Sequence, residues 1–368
     1  MEYFFYKMNA EPYFMKKLLK NLFLPIILSF VNHPAHAQLF KFLSAQIDTS
    51  YIKDQTRLLT VRLLGSSKLN TYSLVNGSNS LSYRANNSYN IGVGAVYSFL
   101  GANVTVKIPG INNDTAQYGV TKKFDFQAYA FPRKIALDLY LQYYKGFYIT
   151  EKGITQNYLP ANRNALRPDI RTQHVGVNGS YVFNAKQFSF RAAFIQNEYQ
   201  KKSAGTALLG GGIHYYRISG DSAIIPSDIA YSNFFDNSDF NKMGAFSVGV
   251  HGGYAYTLVV AKHFFFTSEA LLGAGINYSY LRDDAHDVFE RKTGFQSNVS
   301  YKAAIGYNSD RFYAGLLYIG YWQQNSTPVS NAWQQNEPAV VRLVLAKRFP
   351  VNPFWEKKKK TKTVIDIQ

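Results

Sequence analysis

A histidine facing a glutamate across two neighbouring strands is the arrangement in this sequence best suited to chemistry, because a carboxylate that orients an imidazole makes a general base. His251 lies in an alternating stretch over 243–258 and Glu269 in a second over 263–280. Folding the two about a turn near residue 260 sets His251 directly opposite Glu269 on one face. Ser247 shares that face, but four residues at ~3.3 Å each put it about 13 Å from His251, too far to serve as its nucleophile. A polar pair that only stabilises a sheet uses the same residue types, so His251 and Glu269 stand as candidates for either role. The other histidines beyond residue 37 are His174, His214, His263 and His286, and no G-x-S-x-G elbow, H-E-x-x-H pair or P-loop accompanies them.

Metal and nucleotide chemistry find less support. Asp283, Asp284, His286 and Asp287 cluster within LRDDAHD, and such oxygens attract a divalent cation, but the spacing lacks the calcium-loop pattern and its turn glycine. A solvated acidic loop accounts for it. The absence of Cys excludes thiolate sites and disulfides. Glycines 210–212 are followed by neither Lys-Ser/Thr nor a helix, so they suit close packing or a bend better than a phosphate loop. No metal and no cofactor is expected.

The elements that must position these residues are strands. In KFDFQAYAFPRKIALDLYLQYYKGFY, residues 122–147, every second residue is apolar on both sides of one tight turn. Tyr and Phe number 29 and 28 against 3 Trp, which favours many strands. Alternation places strands over 57–75, 89–99, 102–108, 121–131, 134–147, 170–183, 187–200, 243–258, 263–280, 294–308, 311–323 and 338–349. Many exceed the roughly 9–11 residues that cross a bilayer at a tilt, and their apolar and polar faces alternate as a membrane barrel requires. Short turns alternate with long links around 109–120, 148–169, 281–293 and 324–337. The expected fold is therefore an all-β antiparallel transmembrane β-barrel of about 12 strands, with short periplasmic turns and long outer loops. The apolar run 206–219 belongs to an outer loop in that count, or pairs with a further crossing to give 14 strands. The lumen would be lined by Asp125, Gln127, Asp138, Gln142, Arg191, His251, Glu269, Asn298, Lys302 and Arg342, either as an aqueous pore or as a neutralised plug.

Residues 15–37, MKKLLKNLFLPIILSFVNHPAHA, read as a secretory signal peptide starting at Met15 and cleaved after Ala37. Its apolar core is shorter than the roughly 20 residues of a spanning helix. A periplasmic lead over 38–56, the barrel over 57–349 and a basic tail over 350–368 follow. The net charge of +17 suits nucleic acid, but export turns it towards lipid phosphates and sugars. The expected partners are outer-membrane lipid and lipopolysaccharide together with the barrel assembly machinery, with no nucleic acid, and the expected location is the outer membrane.

DTSYIKD at 48–54, RLLTVRL at 57–63, YNIGVGAVY at 89–97, the 122–147 block with FPRK at 131–134, and AGTALLGGGIHYY with DSAIIP together resemble an uncharacterised family of Bacteroidota outer-membrane proteins, domain of unknown function 4421. The resemblance implies a barrel over most of the chain and brings no catalytic residues. RLVLAKRF at 342–349, ending in Phe349, is similar to the aromatic last strand of barrel proteins generally, here with a tail after it. Three functional readings follow. The first is a non-enzymatic outer-membrane barrel for passive transport, ligand binding or envelope structure. The second is an enzyme modifying lipid or lipopolysaccharide through His251 and Glu269, and the third a secreted soluble glycan-binding β protein.

Overall fold

The computed structural model describes residues 46–351, save 99, 112–113, 152–163, 230, 232 and 238. The signal region and all but the start of the basic tail lie outside the described residues. The strands are β1 (Ile52–Asp54), β2 (Leu58–Asn76), β3 (Asn79–Arg84), β4 (Tyr89–Tyr97), β5 (Leu100–Lys107), β6 (Lys122–Ala130), β7 (Ile135–Ile149), β8 (Leu166–Val182), β9 (Glu198–Gln200), β10 (Ala204–Ser219), β11 (Lys242–Val260), β12 (Phe264–Asp283), β13 (Val288–Asn308), β14 (Phe312–Ser326) and β15 (Ala332–Pro350).

Ten of them close an antiparallel ring in the order β2, β3, β7, β8, β10, β11, β12, β13, β14, β15, with β15 pairing back onto β2. Neither 12 nor 14 matches this closed ring, for two reasons. The 206–219 run crosses as β10, paired on both sides. Residues 187–200, expected as a crossing, instead fold into the barrel as a π-helical turn, Arg191–Ile195, followed by the short β9. A wall strand would alternate, yet Phe188, Ala193, Phe194 and Asn197 are all buried irrespective of parity, the signature of a plug rather than a wall.

We call the end where β2 begins and β15 ends the near end. Here the wall forks. The first half of β2 pairs with β4 and its second half with β3. β7 pairs with β6 up to Lys145 and with β3 from Tyr148. β5 pairs only with β4, and β6 only with β7, so β5 and β6 are separate edges of one seam. The fork sits at Gly146, whose φ of +92° is a left-handed value that glycine adopts without steric cost. An added Cβ would lie 2.2 Å from the Val120 carbonyl oxygen. The expected cost of Gly146→Ala is therefore about 2–3 kcal/mol, combining strain and displaced backbone. Urea unfolding in detergent micelles measures it, and a loss below about 0.5 kcal/mol, the scatter of ordinary surface changes, would contradict the assignment of the fork to this residue.

The far-end links are shorter than alternation indicated. β12 and β13 run on to Asp283 and back from Val288, and β14 and β15 turn between Ser326 and Ala332, where 281–293 and 324–337 were expected as loops. Residues 288–293 are exposed on both faces, so neither a lipid face nor a core gives them an alternating pattern, and only the ladder to β12 orders them. The two largest far-end links, between β7 and β8 and between β10 and β11, are those around 150–165 and 220–241.

Outward and inward faces are inverted relative to a soluble protein. On β11 and β12, Val250, Leu272 and Ile276 are 66–68% exposed, while Glu269, Asn277 and Ser279 on the inner face are at most 2% exposed. The interior is filled at three levels. At the far end the β10–β11 link folds inward, and Phe234, Phe235, Ile224 and Phe240 pack with Tyr72, Tyr83, Phe147 and Met243 of the wall. Arg167 pins that link by donating to the carbonyls of Ile224 and Ala223 (both 2.8 Å) while it holds Asp169. At the near end the 187–200 plug pairs through β9 with β1, so part of the expected periplasmic lead is tied into the fold. Between the plugs lies the polar middle.

Candidate functional site

The polar middle is where the inward-facing residues meet. Lys302 of β13 reaches across the lumen, its Nζ 2.9 Å from Asp138 Oδ2 on β7 and 2.9 Å from Glu269 Oε1 on β12. All three are buried, and Ser300 Oγ also donates to Glu269 (3.4 Å). A cation shared by two carboxylates leaves one excess negative charge in the cluster. This cluster spans nearly opposite walls and so fixes the shape of the lumen.

His251 does not face Glu269. The β11–β12 turn is centred on Lys262, with left-handed φ at Ala261 and Lys262, rather than near residue 260. The register therefore sets His251 beside Gly273 and Glu269 beside Ala255. Because the slip is even, both side chains still point inward. His251 Nε2 instead pairs with Ser180 Oγ of β8 at 2.8 Å, and both residues are buried. A serine beside a histidine is the start of a nucleophilic pair, but nucleophilic catalysis also needs a path for substrate, and both plugs stand between this pair and the barrel ends. Ser247, on the same face of β11 as His251, accepts from Gln323 Nε2 at 2.6 Å.

A second chain of hydrogen bonds runs along the middle. Gln142 Nε2 donates to Asp125 Oδ2 (3.2 Å), so its Oε1 accepts from His174 Nδ1 (2.7 Å). For neutral rings, His174 Nε2 is then the acceptor for His214 Nδ1–H at 3.0 Å. The imidazoles stack with tyrosines, His174 on Tyr216 at 4.0 Å and His214 on Tyr321 at 4.8 Å between ring centroids. Asn298 Nδ2 donates to the Tyr321 hydroxyl (3.1 Å), which donates to Gln323 Oε1 (2.9 Å).

Of the remaining residues singled out from the sequence, Asp125 and Gln127 project inward from β6, and Asp125 takes an ion pair from Lys68 at 2.9 Å. Arg342 projects inward from β15 on the face it shares with the buried Val344 and Arg348. Arg191 is not on a wall strand at all: it belongs to the plug, where it donates to the Ser98 carbonyl (3.0 Å) and lies 3.5 Å from Glu198. Residues not singled out but central to the interior are Glu198, Arg133, Arg62 and Arg348. Glu198 is fully buried between Arg133 and Arg191. Arg348 shares the inner parity of β15, a signal that its place beside Phe349 obscured.

The acidic far-end loop is internally satisfied. Asp283 pairs with His286, and Asp284 with Lys242 and Arg282. Among the described residues no group of three His, Asp or Glu is arranged to hold a metal. Beside this loop a groove of about 830 Å³ is lined in part by Arg167, Asp221, Asp228 and His286. The hydrogen bond to the Asp283 carboxylate, then its charge, raises the His286 pKa above the usual histidine value of 6.5. Proton binding to His286 is accordingly tighter in the folded loop, so the stabilising pair is complete below the ordinary histidine pKa and is lost as pH rises through the elevated one. An NMR titration of His286 in micelles is expected to fall back to about 6.5 in Asp283→Asn, the unperturbed histidine value.

Several solved structures are similar to this chain. The outer membrane protease OmpT from Escherichia coli has 11% identity over 81% of this chain and 98% of its own, with a TM-score of 0.36. The translocator domain of autotransporter NalP from Neisseria meningitidis has 11% identity, coverages of 78% and 88%, and a TM-score of 0.31. OprG from Pseudomonas aeruginosa has 12% identity, coverages of 80% and 97%, and a TM-score of 0.21. A search of curated proteins finds no match. The family model described as "Domain of unknown function (DUF4421)" matches residues 46–338, from before β1 into β15, and the chain belongs to that family.

Proposed function

We propose that this chain is an integral outer-membrane β-barrel that does not conduct, a closed component of the cell envelope rather than a pore. The observation that carries the reading is the inverted barrel itself, apolar outside and closed inside. From Phe246 to Val260 the exposed apolar stripe of β11 covers about 48 Å of strand, or about 36 Å along the axis at a tilt of roughly 40°, long enough to cross the apolar band of about 25 Å in outer-membrane barrels. Exposed surface of this kind on a soluble protein would be an aggregation hazard, and hydrocarbon is the environment it suits. Both termini of the barrel lie at the near end, which fits the periplasmic side, and the longer links at the far end fit the outside.

Passive transport is disfavoured because the lumen is closed twice, by the aromatic core at the far end and by the 187–200 plug at the near end. The same burial argues against catalysis by Ser180 and His251. The signal peptide, lipopolysaccharide contact and delivery by the barrel assembly machinery belong to this reading and follow from export to that membrane. Cell fractionation followed by cold and heated gel mobility tests it: a heat-modifiable band from the outer membrane is expected. The same protein in planar bilayers is expected to show no unitary conductance. Release from cells without detergent would sink the membrane reading, and steady large conductance would sink the closed lumen.

A further inference from the structure

The seam between β5 and β6 is unlike the rest of the wall. Gly101, Asn103, Thr105 and Lys107 face inward from β5 and yet are exposed, so a recess opens behind the edge. It is held open at both ends. At the near end the Ser98 carbonyl, in the β4–β5 turn, accepts from Arg191 and from Asn197 (2.7 Å), while Arg133, in the β6–β7 turn, pairs with Glu198. At the far end the Asn86 amide donates to Thr121 Oγ1 (2.8 Å), which donates to the Gly146 carbonyl (2.6 Å). The two edges are therefore spaced by the plug below and by the fork above.

The recess is cationic. Asp125 and then Lys68 and Lys107 act electrostatically on Lys123, so the cations outnumber the one carboxylate. Asp125, the carboxylate on the inner face of β6, is already engaged by Lys68, Gln142 and Tyr144. Lys123 has only the Ser88 hydroxyl (3.1 Å), and Lys107 and Arg342 make no hydrogen bond or ion pair among the described residues. Arg342, Ser66, Asn90 and Lys107 occupy one register row across β15, β2, β4 and β5. At ~4.8 Å per strand the two cations start about 14 Å apart, and both side chains point into the recess. On the outside of the same seam Val104, Val106, Phe124 and Phe126 are 41–70% exposed.

We propose that this seam binds a phosphate-bearing glycolipid of the outer leaflet, its phosphate on Lys107 and Lys123 with Arg342 behind, and its acyl chains against Val104, Val106, Phe124 and Phe126. The proposal rests on the outer-membrane reading above. Three requirements converge on that ligand. Unpaired strand edges in hydrocarbon cost several kcal/mol per exposed peptide group, so the seam needs a polar occupant. Lys68, Lys107, Lys123 and Arg342 share the single carboxylate of Asp125, which Lys68 already engages, so the excess positive charge needs an anion, and phosphate accepts from ammonium and guanidinium groups in charge-assisted bonds. The apolar flanks select an anion that carries chains over a free one. Lys107 and Lys122 end the β5 and β6 stripes on the far-end side, which assigns the headgroup to the outer leaflet.

The test uses the full chain, shown to be folded by heat modifiability in detergent, and native mass spectrometry with bis-phosphorylated lipid A. One bound lipid is expected, with at least tenfold weaker binding of the phosphate-free form and of the Lys107→Gln/Lys123→Gln variant, and no displacement by millimolar inorganic phosphate. Equal binding of both lipid forms, or full binding by the variant, would overturn the proposal, as would displacement by inorganic phosphate, which marks a free-anion site. Protection of the β5 and β6 edge amides from hydrogen exchange in lipid-A-free liposomes would overturn it too, because the edges would then pair with each other. Failure of a heat-modifiable barrel to bind leaves the membrane reading standing, whereas a chain soluble without detergent sinks both.

Discussion

Lys302→Ala is expected to remove about 3–5 kcal/mol of stability, the scale of breaking a buried ion pair from one side. Lys302 is the shared partner of Asp138 and Glu269, each at 2.9 Å, and the three are almost wholly buried. Without the ammonium, two carboxylates remain in a closed lumen with no counter-charge between them, and at least one must protonate for the barrel to close. The loss is read from urea unfolding in micelles or from the temperature at which the compact gel band disappears. Replacing the whole cluster, Lys302→Met with Asp138→Asn and Glu269→Gln, is expected to recover most of it, because like-sized neutral groups no longer carry the desolvation penalty. A loss below about 1 kcal/mol for Lys302→Ala, the value of an exposed pair, would mean that water reaches the carboxylates and that the lumen is not closed.

Arg348→Ala carries the second large effect, and it differs in kind. The guanidinium is 2% exposed and donates from all three nitrogens: Nε to the Gln196 carbonyl (2.8 Å), Nη1 to the Ser309 carbonyl (2.6 Å) and Nη2 to Asn308 Oδ1 (2.9 Å). It thus ties the plug to β15 and to the β13–β14 turn at once. Hydrogen bonds to charged groups are worth about 1.5–3 kcal/mol each, with losses that are not additive, so a net cost of about 3 kcal/mol is expected. The plug should also come loose from the wall. Loosening is expected to appear as faster hydrogen exchange of the 187–200 amides in Arg348→Ala than in the parent chain, with Arg348→Lys intermediate because one ammonium cannot span three acceptors in that geometry, while planar bilayers stay silent because the far-end core still closes the lumen. Steady conductance in this variant would show that the far-end core around Phe234 and Phe235 does not seal the lumen.

These two variants also separate the readings of the barrel. Lys302 acts on the shape of the middle and Arg348 on the closure of one end, so a role in envelope structure predicts damage from the first, and silence in the second marks the far-end core as a sufficient barrier. Lys302→Ala leaves the plug and the inner face of β5 in place and should retain glycolipid binding if it folds, whereas Arg348→Ala loosens the plug that spaces the seam and should weaken that binding.

How much of this was legible beforehand follows from what a strand's pattern records. Alternation reports whether the two faces of a strand meet different surroundings, and in 122–147, 263–280 and 294–308 they do, so β6, β7, β12 and β13 and the inward direction of Asp125, Asp138, Glu269 and Lys302 were readable from residue types alone. Where both faces meet the same surroundings the signal vanishes. The plug residues 187–200 are buried on every side and resembled a strand, while 288–293, exposed on both sides, resembled a loop.

The sequence by itself determined the all-β class, the inverted polarity of the wall and the family, because these depend on local periodicity and on residue types. Tertiary structure alone decided ring closure, register and occupancy of the lumen. A turn centred at Lys262 rather than residue 260 moves His251 from Glu269 to Gly273 without changing a single face, and a fork at Gly146 turns a continuous wall into one with a seam. Those outcomes depend on hydrogen bonds between residues far apart in the chain, which no local pattern encodes.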